Sequence, residues 1–413
     1  MSNRVVVTGM GAITPIGNNV EEFWDSAKVG KCGIDKITHF SLDKHKVSLA
    51  GEIKNLDLEK YMDRRDAKRM DRYCKLAMIA AEEGINMSKL DLNIVDKDRF
   101  GVIVSSGIGG LETIENENEK LLNKGPNRVS PMMIPMIISN MAAGNIAIKY
   151  GAKGICTSIV TACATGTNSI GEAFRAIKYN NADIMITGGS EASITPLAIA
   201  GFANLTALNT TEDKERASIP FDKERNGFVM GEGAGVLILE SLEHAKKRDA
   251  KIYGEIIGYG ANCDAYHITS PSPDGAGAAK CMALAIKEGK INKDEVSYIN
   301  AHGTSTPYND KFETIAIKKL FGHRSYKIPI NSTKSMVGHL LGAAGAVESI
   351  VCIKSLEEGF IHPTIGLKVP DEECDLDYVA LEGREVDIRY ALSNSLGFGG
   401  HNATLLFKKW EGR

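Results

Sequence analysis

The stretch Gly154-Ile-Cys-Thr-Ser-Ile-Val-Thr-Ala-Cys-Ala-Thr-Gly-Thr-Asn-Ser-Ile-Gly171 sets the terms on which the rest of the chain is read. Residues 155–160 mix β-branched and small side chains, the composition of a buried strand. From Thr161 onward, Ile170, Ala173, Phe174 and Ile177 recur at helical spacing. Cys163 therefore falls at a strand-to-helix junction, where unpaired amides and the helix dipole favour a thiolate. The small neighbours Ala162, Ala164 and Gly166 leave room for a bulky acyl group at the sulfur. From this segment alone a buried structural cysteine is the plainer reading, because free cysteines are commonly core residues. The other segments reverse that preference.

The 413 residues suffice for two domains, or for two halves around a shared core. A hydrophobic fraction of 43% with 24% charged residues is that of a globular protein. The net charge of -3 excludes bulk nucleic-acid binding, so any basic patch is local. Eight scattered cysteines form no C-x-x-C pair and no zinc-like spacing with histidine, and read as reduced thiols of a cytoplasmic protein. The chain enters the strand Val5-Val-Val-Thr8 almost at once, leaving no room for a targeting segment, and no apolar run is long enough to span a membrane.

The opening strand ends in a glycine turn, and Asn18/Asn19 cap a helix containing Val20, Phe23, Trp24 and Ala27. Gly9-Met-Gly11 resembles the start of a dinucleotide loop, but the third glycine is misplaced and Pro15 intrudes; a tight turn is the better reading. Residues 61–83 read as one helix with Arg65, Lys68, Arg69 and Arg72 on a single face: a solvated stripe or a dock for an acidic partner. Residues 99–106 form a strand ending in a glycine turn. The apolar run 132–141 belongs in the core or in a subunit contact. Further strands cover 182–189 and the end of the glycine-dense stretch 227–240. The charged helix 241–251 marks the boundary between halves 1–250 and 251–413.

The second half loosely repeats the first. Residues 253–260 answer the opening strand, and 296–301 answer the strand at Val102. Residues 328–333, followed by Gly338-His-Leu-Leu-Gly-Ala-Ala-Gly345, answer the strand and helix around Cys163. Residues 392–407 add a glycine turn and a last strand. A duplicated α/β unit with strands buried on both faces fits this order. In such a molecule Cys163 and His339 are expected at equivalent junctions facing one pocket.

Three further stretches have the small, polar, glycine-flanked character of site loops. They are Asn300-Ala-His302-Gly-Thr304-Ser-Thr306, Thr333-Lys334-Ser-Met-Val-Gly-His339 and Asn394-Ser-Leu-Gly-Phe398-Gly-Gly-His401-Asn402. Each histidine alone reads as structural. A cysteine with two histidines at the ends of separate strands points to nucleophilic acyl chemistry. Glu313 and Lys334 are expected to form a buried ion pair beneath it.

Taken together, Thr161-Ala-Cys163-Ala-Thr-Gly, Asn300-Ala-His302-Gly-Thr-Ser-Thr306, Lys334-Ser-Met-Val-Gly-His339 and Gly397-Phe398-Gly-Gly resemble the β-ketoacyl-acyl-carrier-protein synthases. The likeness runs essentially end to end, and is strongest to the chain-elongating branch of bacterial dissociated fatty-acid synthesis. It implies a thiolase-like, duplicated αβαβα five-layer fold, a cytoplasmic homodimer and no organic cofactor. It makes Cys163 the nucleophile that takes the acyl chain from carrier-protein pantetheine, with His302 and His339 serving decarboxylation of malonyl-carrier protein. The resemblance also makes Lys334 with Glu313 a supporting pair, Thr304 and Thr306 pantetheine-binding hydroxyls, Phe398 a gate and Gly399 a substrate-binding residue. Ile108 and Phe202 line the acyl pocket, while Asn300, Glu348, Ser393 and Asn394 resemble a structural monovalent-cation site. Arg65, Lys68, Arg69 and Arg128 are the expected dock for the acyl carrier protein.

Thr206 stands where close relatives often carry a basic docking residue. Ala-Thr-Gly follows the nucleophile instead of the serine run usual in modular polyketide synthases, which counts against a polyketide ketosynthase. His339 stands where thiolases and coenzyme-A-using initiators commonly have asparagine. A non-catalytic chain-length partner would lack Cys163, and a Cys–His hydrolase would release its acyl group to water.

Overall fold

The computed structural model describes residues 2–412. Ten strands form one mixed sheet: β1 (Val5–Ile13), β2 (Phe100–Ser105), β3 (Cys156–Thr157), β4 (Ile184–Glu191), β5 (Gly233–Ser241), β6 (Gly254–Cys263), β7 (Tyr298–Asn300), β8 (Ile330–Asn331), β9 (Tyr390–Gly397) and β10 (His401–Lys408). Their order is β8-β7-β9-β10-β6-β1-β5-β4-β2-β3. Cut between β6 and β1, each half reads third-second-fourth-fifth-first in its own chain order. In both, the first–fifth and fifth–fourth pairs are antiparallel. The fourth–second and second–third pairs are parallel in both. The two first strands join the halves, Val5 opposite Ile256 and Val7 opposite Gly254. The duplication read from sequence is thus a repeated topology, and the helix Leu242–Lys247, N-capped by the Ser241 side chain, links the two repeats.

Period-two alternation along the strands builds three cores from one sheet. On β5, Val236 and Ile238 join an outer core with α1 (Arg72–Ser88) and α2 (Met141–Tyr150). Leu237 and Leu239 face the opposite way, toward α3 (Thr165–Lys178) and α6 (Ala344–Glu358). In the second half Ile299, Leu392 and Leu406 pack beneath α4 (Ala276–Gly289) and α5 (Pro307–Phe321). Helices, half-sheet, central helices, half-sheet and helices make the five layers. Helix α6 is apolar around nearly its whole circumference, as a helix covered on every side must be.

The two central helices cross through paired glycines. A Cβ on Gly166 would lie 2.9 Å from the backbone N of Ala346, and one on Gly345 would lie 1.9 Å from Thr167 Oγ1 and 2.9 Å from its N. Each helix follows a single 3₁₀ turn, Ala162–Ala164 or Leu341–Ala343. Each turn opens on a non-glycine residue with positive φ, 50° at Ala162 and 47° at Leu341. The repeat therefore aligns Cys163 with Gly342. His339 lies three residues before that position, and so does not stand at a junction equivalent to that of Cys163, although both face one cavity.

Two further expectations change. Residues 61–83 are not one helix. Asp63 accepts from the amides of Arg65 (2.8 Å) and Asp66 (2.9 Å) to start the short helix Arg64–Ala67, and Asp71 caps α1 separately. Aspartates at both starts interrupt the helix instead of decorating it. Arg72 turns inward, holding Glu232 through Nε and Nη2 at 2.6 Å each, so it leaves the basic stripe. The strand at 155–160 shrinks to β3, an exposed sheet edge with Ile155 38% and Val160 52% accessible; its β-branched residues fit a strand, but only β2 pairs with it. The N-cap at Asn19 is as read, its Oδ1 accepting from the Glu22 amide at 2.8 Å, and Val20, Phe23, Trp24 and Ala27 are buried.

The glycine crossing gives a paired test by chemical denaturation. Gly345→Ala should lower stability by about 1–3 kcal/mol through overpacking. Gly201→Ala, on an exposed helical turn with open space around the new methyl, should raise it by about 0.5–1 kcal/mol.

Candidate active site

A cavity of about 350 Å³ opens where the two halves meet, and Cys163, His302, His339, Phe202, Phe398, Thr304 and Thr306 line it. Cys163 sits on the Ala162–Ala164 turn at the entry to α3. Burial pushes its thiol up to about 12, against the pull of the Lys334 charge; Glu191 adds to the rise, and the amides of Phe398 and Cys163 lower it. The thiolate expected from the helix start is therefore outweighed by desolvation, and the resting group is a thiol. The same two amides point at the sulfur, so donors are already grouped around the atom that would carry an acyl group. Gly397 makes this approach possible: a Cβ there would lie 2.8 Å from Thr161 O and 3.2 Å from Cys163 N.

His302 follows β7, and its loop is held by carboxylates from α5. Glu313 accepts from the amides of His302 (2.8 Å) and Gly303 (2.9 Å). Asp310 accepts from Thr304 (2.9 Å), Ser305 (3.1 Å) and Phe221 (2.9 Å). His339 is pinned by its amide to Val229 O at 2.7 Å, and its Nδ1 accepts from the Leu341 amide at 3.3 Å. A neutral ring that accepts at Nδ1 carries its proton on Nε2. Burial, then the Lys334 charge, hold both imidazoles well below their ordinary range, and His339 adds to the effect on His302. The two rings meet edge to face with centroids 5.3 Å apart. Two neutral imidazoles facing one cavity are hydrogen-bond donors without net charge.

Lys334 does not pair with Glu313. It forms a buried ion pair with Glu348 of α6, both side chains 1% exposed. Glu313 is spent on backbone amides and Asn394 Nδ2 (3.2 Å), and burial raises it to about 7. Sequence reasoning placed Glu348 in a cation site, although the one charge within the stretch Ala344–Ile353 was a usable signal. It also missed Asp310, Glu191, and Phe228, whose ring stands edge-on to His339 at 5.3 Å.

Of the remaining candidates, Thr304 and Thr306 share a 2.9 Å hydroxyl contact, and Phe202 lies 6.4 Å from the Phe398 ring. Ile108 does not line the cavity; its side chain is 38% exposed on the outer surface, because its turn is held from inside by Glu191. Gly399 is exposed in the turn between β9 and β10, φ 84°, and its amide donates to Ile268 O at 2.7 Å. Buried Asn300 Oδ1, Glu348 Oε2 and Ser393 Oγ have no hydrogen-bond partner among the described residues, an oxygen set that suits a monovalent cation. Asn394 is committed to Glu313 and Thr404 and does not fit that set as well. Arg65, Lys68, Arg69 and Arg128 are exposed, with no ion pair among the described residues. Thr206 lies on the cavity rim.

The beta-ketoacyl synthase N-terminal domain model matches residues 2–245 and the C-terminal domain model matches residues 253–368. The chain belongs to the β-ketoacyl synthase family. It is 52% identical over 410 residues to 3-oxoacyl-[acyl-carrier-protein] synthase 2 of Staphylococcus aureus, covering 99% of each chain. It is 53% identical over 409 residues to the synthase 2 of a Synechocystis species, covering 99% of this chain and 98% of that one. A solved type II polyketide ketosynthase, in complex with its acyl-carrier protein and bound to a hexaketide, superposes with a TM-score of 0.91 at 37% identity, covering 99% of this chain and 100% of that one. A β-ketoacyl synthase from Burkholderia phymatum gives a TM-score of 0.91 at 33% identity with the same coverage. The fold is the thiolase-like architecture of these ketosynthases.

The raised thiol has a direct readout. With the exposed Cys156 and Cys263 replaced by alanine, carbamidomethylation of Cys163 followed by intact mass should accelerate about tenfold per pH unit from about pH 7 to 9. A rate that levels near neutrality would mean that the thiolate is already formed.

Proposed function

We propose that this cavity carries out decarboxylative condensation in two half-reactions, with Cys163 as nucleophile and His302 and His339 as paired donors. The chain is an acyltransferase of fatty-acid elongation that works on carrier-protein thioesters. In the first half-reaction Cys163 sulfur attacks the acyl thioester, and the amides of Cys163 and Phe398 hold the oxyanion. The pantetheine thiol leaves with the proton that Cys163 gives up, so a thiol raised to about 12 needs no permanent base. In the second, the carbon–carbon bond to the malonyl carboxylate breaks, carbon dioxide departs, and the electron pair collects on the thioester oxygen as an enolate. Nε2–H of His339 and the ring of His302 receive that charge; one such donor is worth roughly 3 kcal/mol. The enolate carbon attacks acyl-Cys163, the carbon–sulfur bond breaks, and the thiolate recovers a proton from solvent.

The observation that carries this reading is the convergence of one thiol, two neutral imidazoles and two amides on one cavity. A chain-length partner subunit has no use for such a constellation. Lys334 with Glu348 sets the field that keeps the histidines neutral, Glu313 positions the His302 loop, and Thr304 and Thr306 hold the pantetheine arm. Asn300, Glu348 and Ser393 would hold a structural monovalent cation through their unpartnered oxygens, Glu348 offering the oxygen that Lys334 does not take. Exposed Ile134 (60%), Ile138 (46%) and the β3 edge support a homodimer, whose interface would also cover Ile108. Free cysteines throughout agree with cytoplasmic residence, and no helix among the described residues is long and apolar enough to cross a membrane.

His302→Ala and His339→Ala should each still acquire one acyl group on Cys163 by intact mass, yet release labelled carbon dioxide from malonyl-carrier protein about a hundredfold more slowly. Wild-type decarboxylation in either variant removes that histidine from the mechanism. Docking is tested separately: reversing Arg65 and Lys68 to glutamate should slow reaction with carrier-protein substrates at low salt. The effect should fade as the Debye length shrinks toward about 8 Å at physiological ionic strength. A small thioester substitute should react unchanged; unchanged carrier-protein kinetics at low salt would place the dock elsewhere.

A further inference from the structure

Glu191 closes β4 with 0% exposure, and no lysine or arginine pairs with it among the described residues. An isolated buried carboxylate is costly unless donors surround it. Here Oε2 accepts from the amides of Gly107 (2.9 Å) and Gly342 (3.1 Å). Oε1 accepts from Ser106 Oγ (2.7 Å), Ser193 Oγ (3.4 Å) and the Ile108 amide (3.4 Å). The Gly342 contact lies one residue beyond Leu341, which holds φ at 47°. A non-glycine residue stays in that region only when its surroundings over-determine it. Leu341 is also the residue whose amide donates to His339 Nδ1.

We propose that Glu191 is a positioning residue for the condensation, anchoring the Leu341–Gly342 turn so that the Leu341 amide stays on His339 Nδ1 and the ring proton stays on Nε2. Glu191 touches no substrate; it acts through one amide on the turn that selects the tautomer. Without the anchor the strained turn relaxes, the Leu341 amide withdraws, and His339 is free to place its proton on Nδ1, where it cannot reach the enolate. Cys163 acylation needs no such donor and is spared. This inference rests on the reading of His339 as an enolate donor.

The test compares Glu191→Ala, Glu191→Gln and His339→Ala in the full chain, scoring acylation of Cys163 by intact mass and carbon dioxide release from malonyl-carrier protein. Glu191→Ala should acylate within about threefold of wild type but decarboxylate about ten- to a hundredfold more slowly. Glu191→Gln should recover most of the loss, because its amide oxygen can keep Gly342 N–H while its NH₂ faces the hydroxyls of Ser106 and Ser193, forfeiting only the 3.4 Å Ile108 contact. Parallel loss of both half-reactions, wild-type decarboxylation in Glu191→Ala, or no recovery in Glu191→Gln would each overturn the proposal. If Glu191→Ala does not fold, Glu191→Asp, too short to span Gly107 and Gly342 together, replaces it in the same comparison. Wild-type decarboxylation in His339→Ala would instead remove the underlying reading. Loss in His339→Ala with none in Glu191→Ala overturns only the role of Glu191.

Discussion

The constraint on which the site depends is the close crossing of the starts of the two central helices, where Gly166 and Gly345 let backbone meet backbone. Everything chemical hangs from that crossing. It sets the Cys163 turn beside the His339–Gly342 turn, with Leu341 packed toward Cys163 and the cavity opening between Cys163 and His339. It also buries nearly all of both helices, so the active site is built at their ends. Dispersion over so tight a contact is large only while the packing is complete, so the crossing is stiff by construction.

Around that crossing the electrostatics are arranged by subtraction. Lys334 is the cation that reaches both histidines and the thiol, and Glu348 holds it in place from the neighbouring helix. Removing one member of such a pair typically costs 3–5 kcal/mol, since a naked charge is left behind. The remaining carboxylates of the region, Glu313, Asp310 and Glu191, do not face the cavity with their charge. They spend it on backbone amides of the loops that carry His302, Thr304 and Gly342. Around Cys163 the cavity presents the neutral donors His302 and His339, which suits a step that places negative charge on a thioester oxygen. The carboxylate that lines it, Asp264, is engaged by Asn402 and the Ser272 amide.

Much of this was legible in the chain. The β-rich end of residues 227–240 read as a strand and Asn18/Asn19 as a helix cap, while Cys163, His302 and His339, each structural when read alone, stood out only as motifs taken together. What failed was pairing across the core. Lys334 found Glu348 instead of Glu313 because helix packing, not proximity to a motif, decides which acid reaches a buried amine. Arg72 looked like its neighbours in charge, but the cap at Asp71 changes the helix axis and turns it toward Glu232. The edge position of β3 depends on which strands close the sheet, and local composition carries no record of that.

The repeat aligns Gly342 with Cys163, yet no second nucleophile could be accommodated there. A Cβ on Gly342 would stand 2.4 Å from the Gly107 amide nitrogen and 2.8 Å from Glu191 Oε2. The second turn keeps the geometry of a nucleophile's seat but is filled by the clamp that steadies its neighbour. Of the two matching turns, backbone volume therefore leaves room for a side chain only at the Cys163 seat.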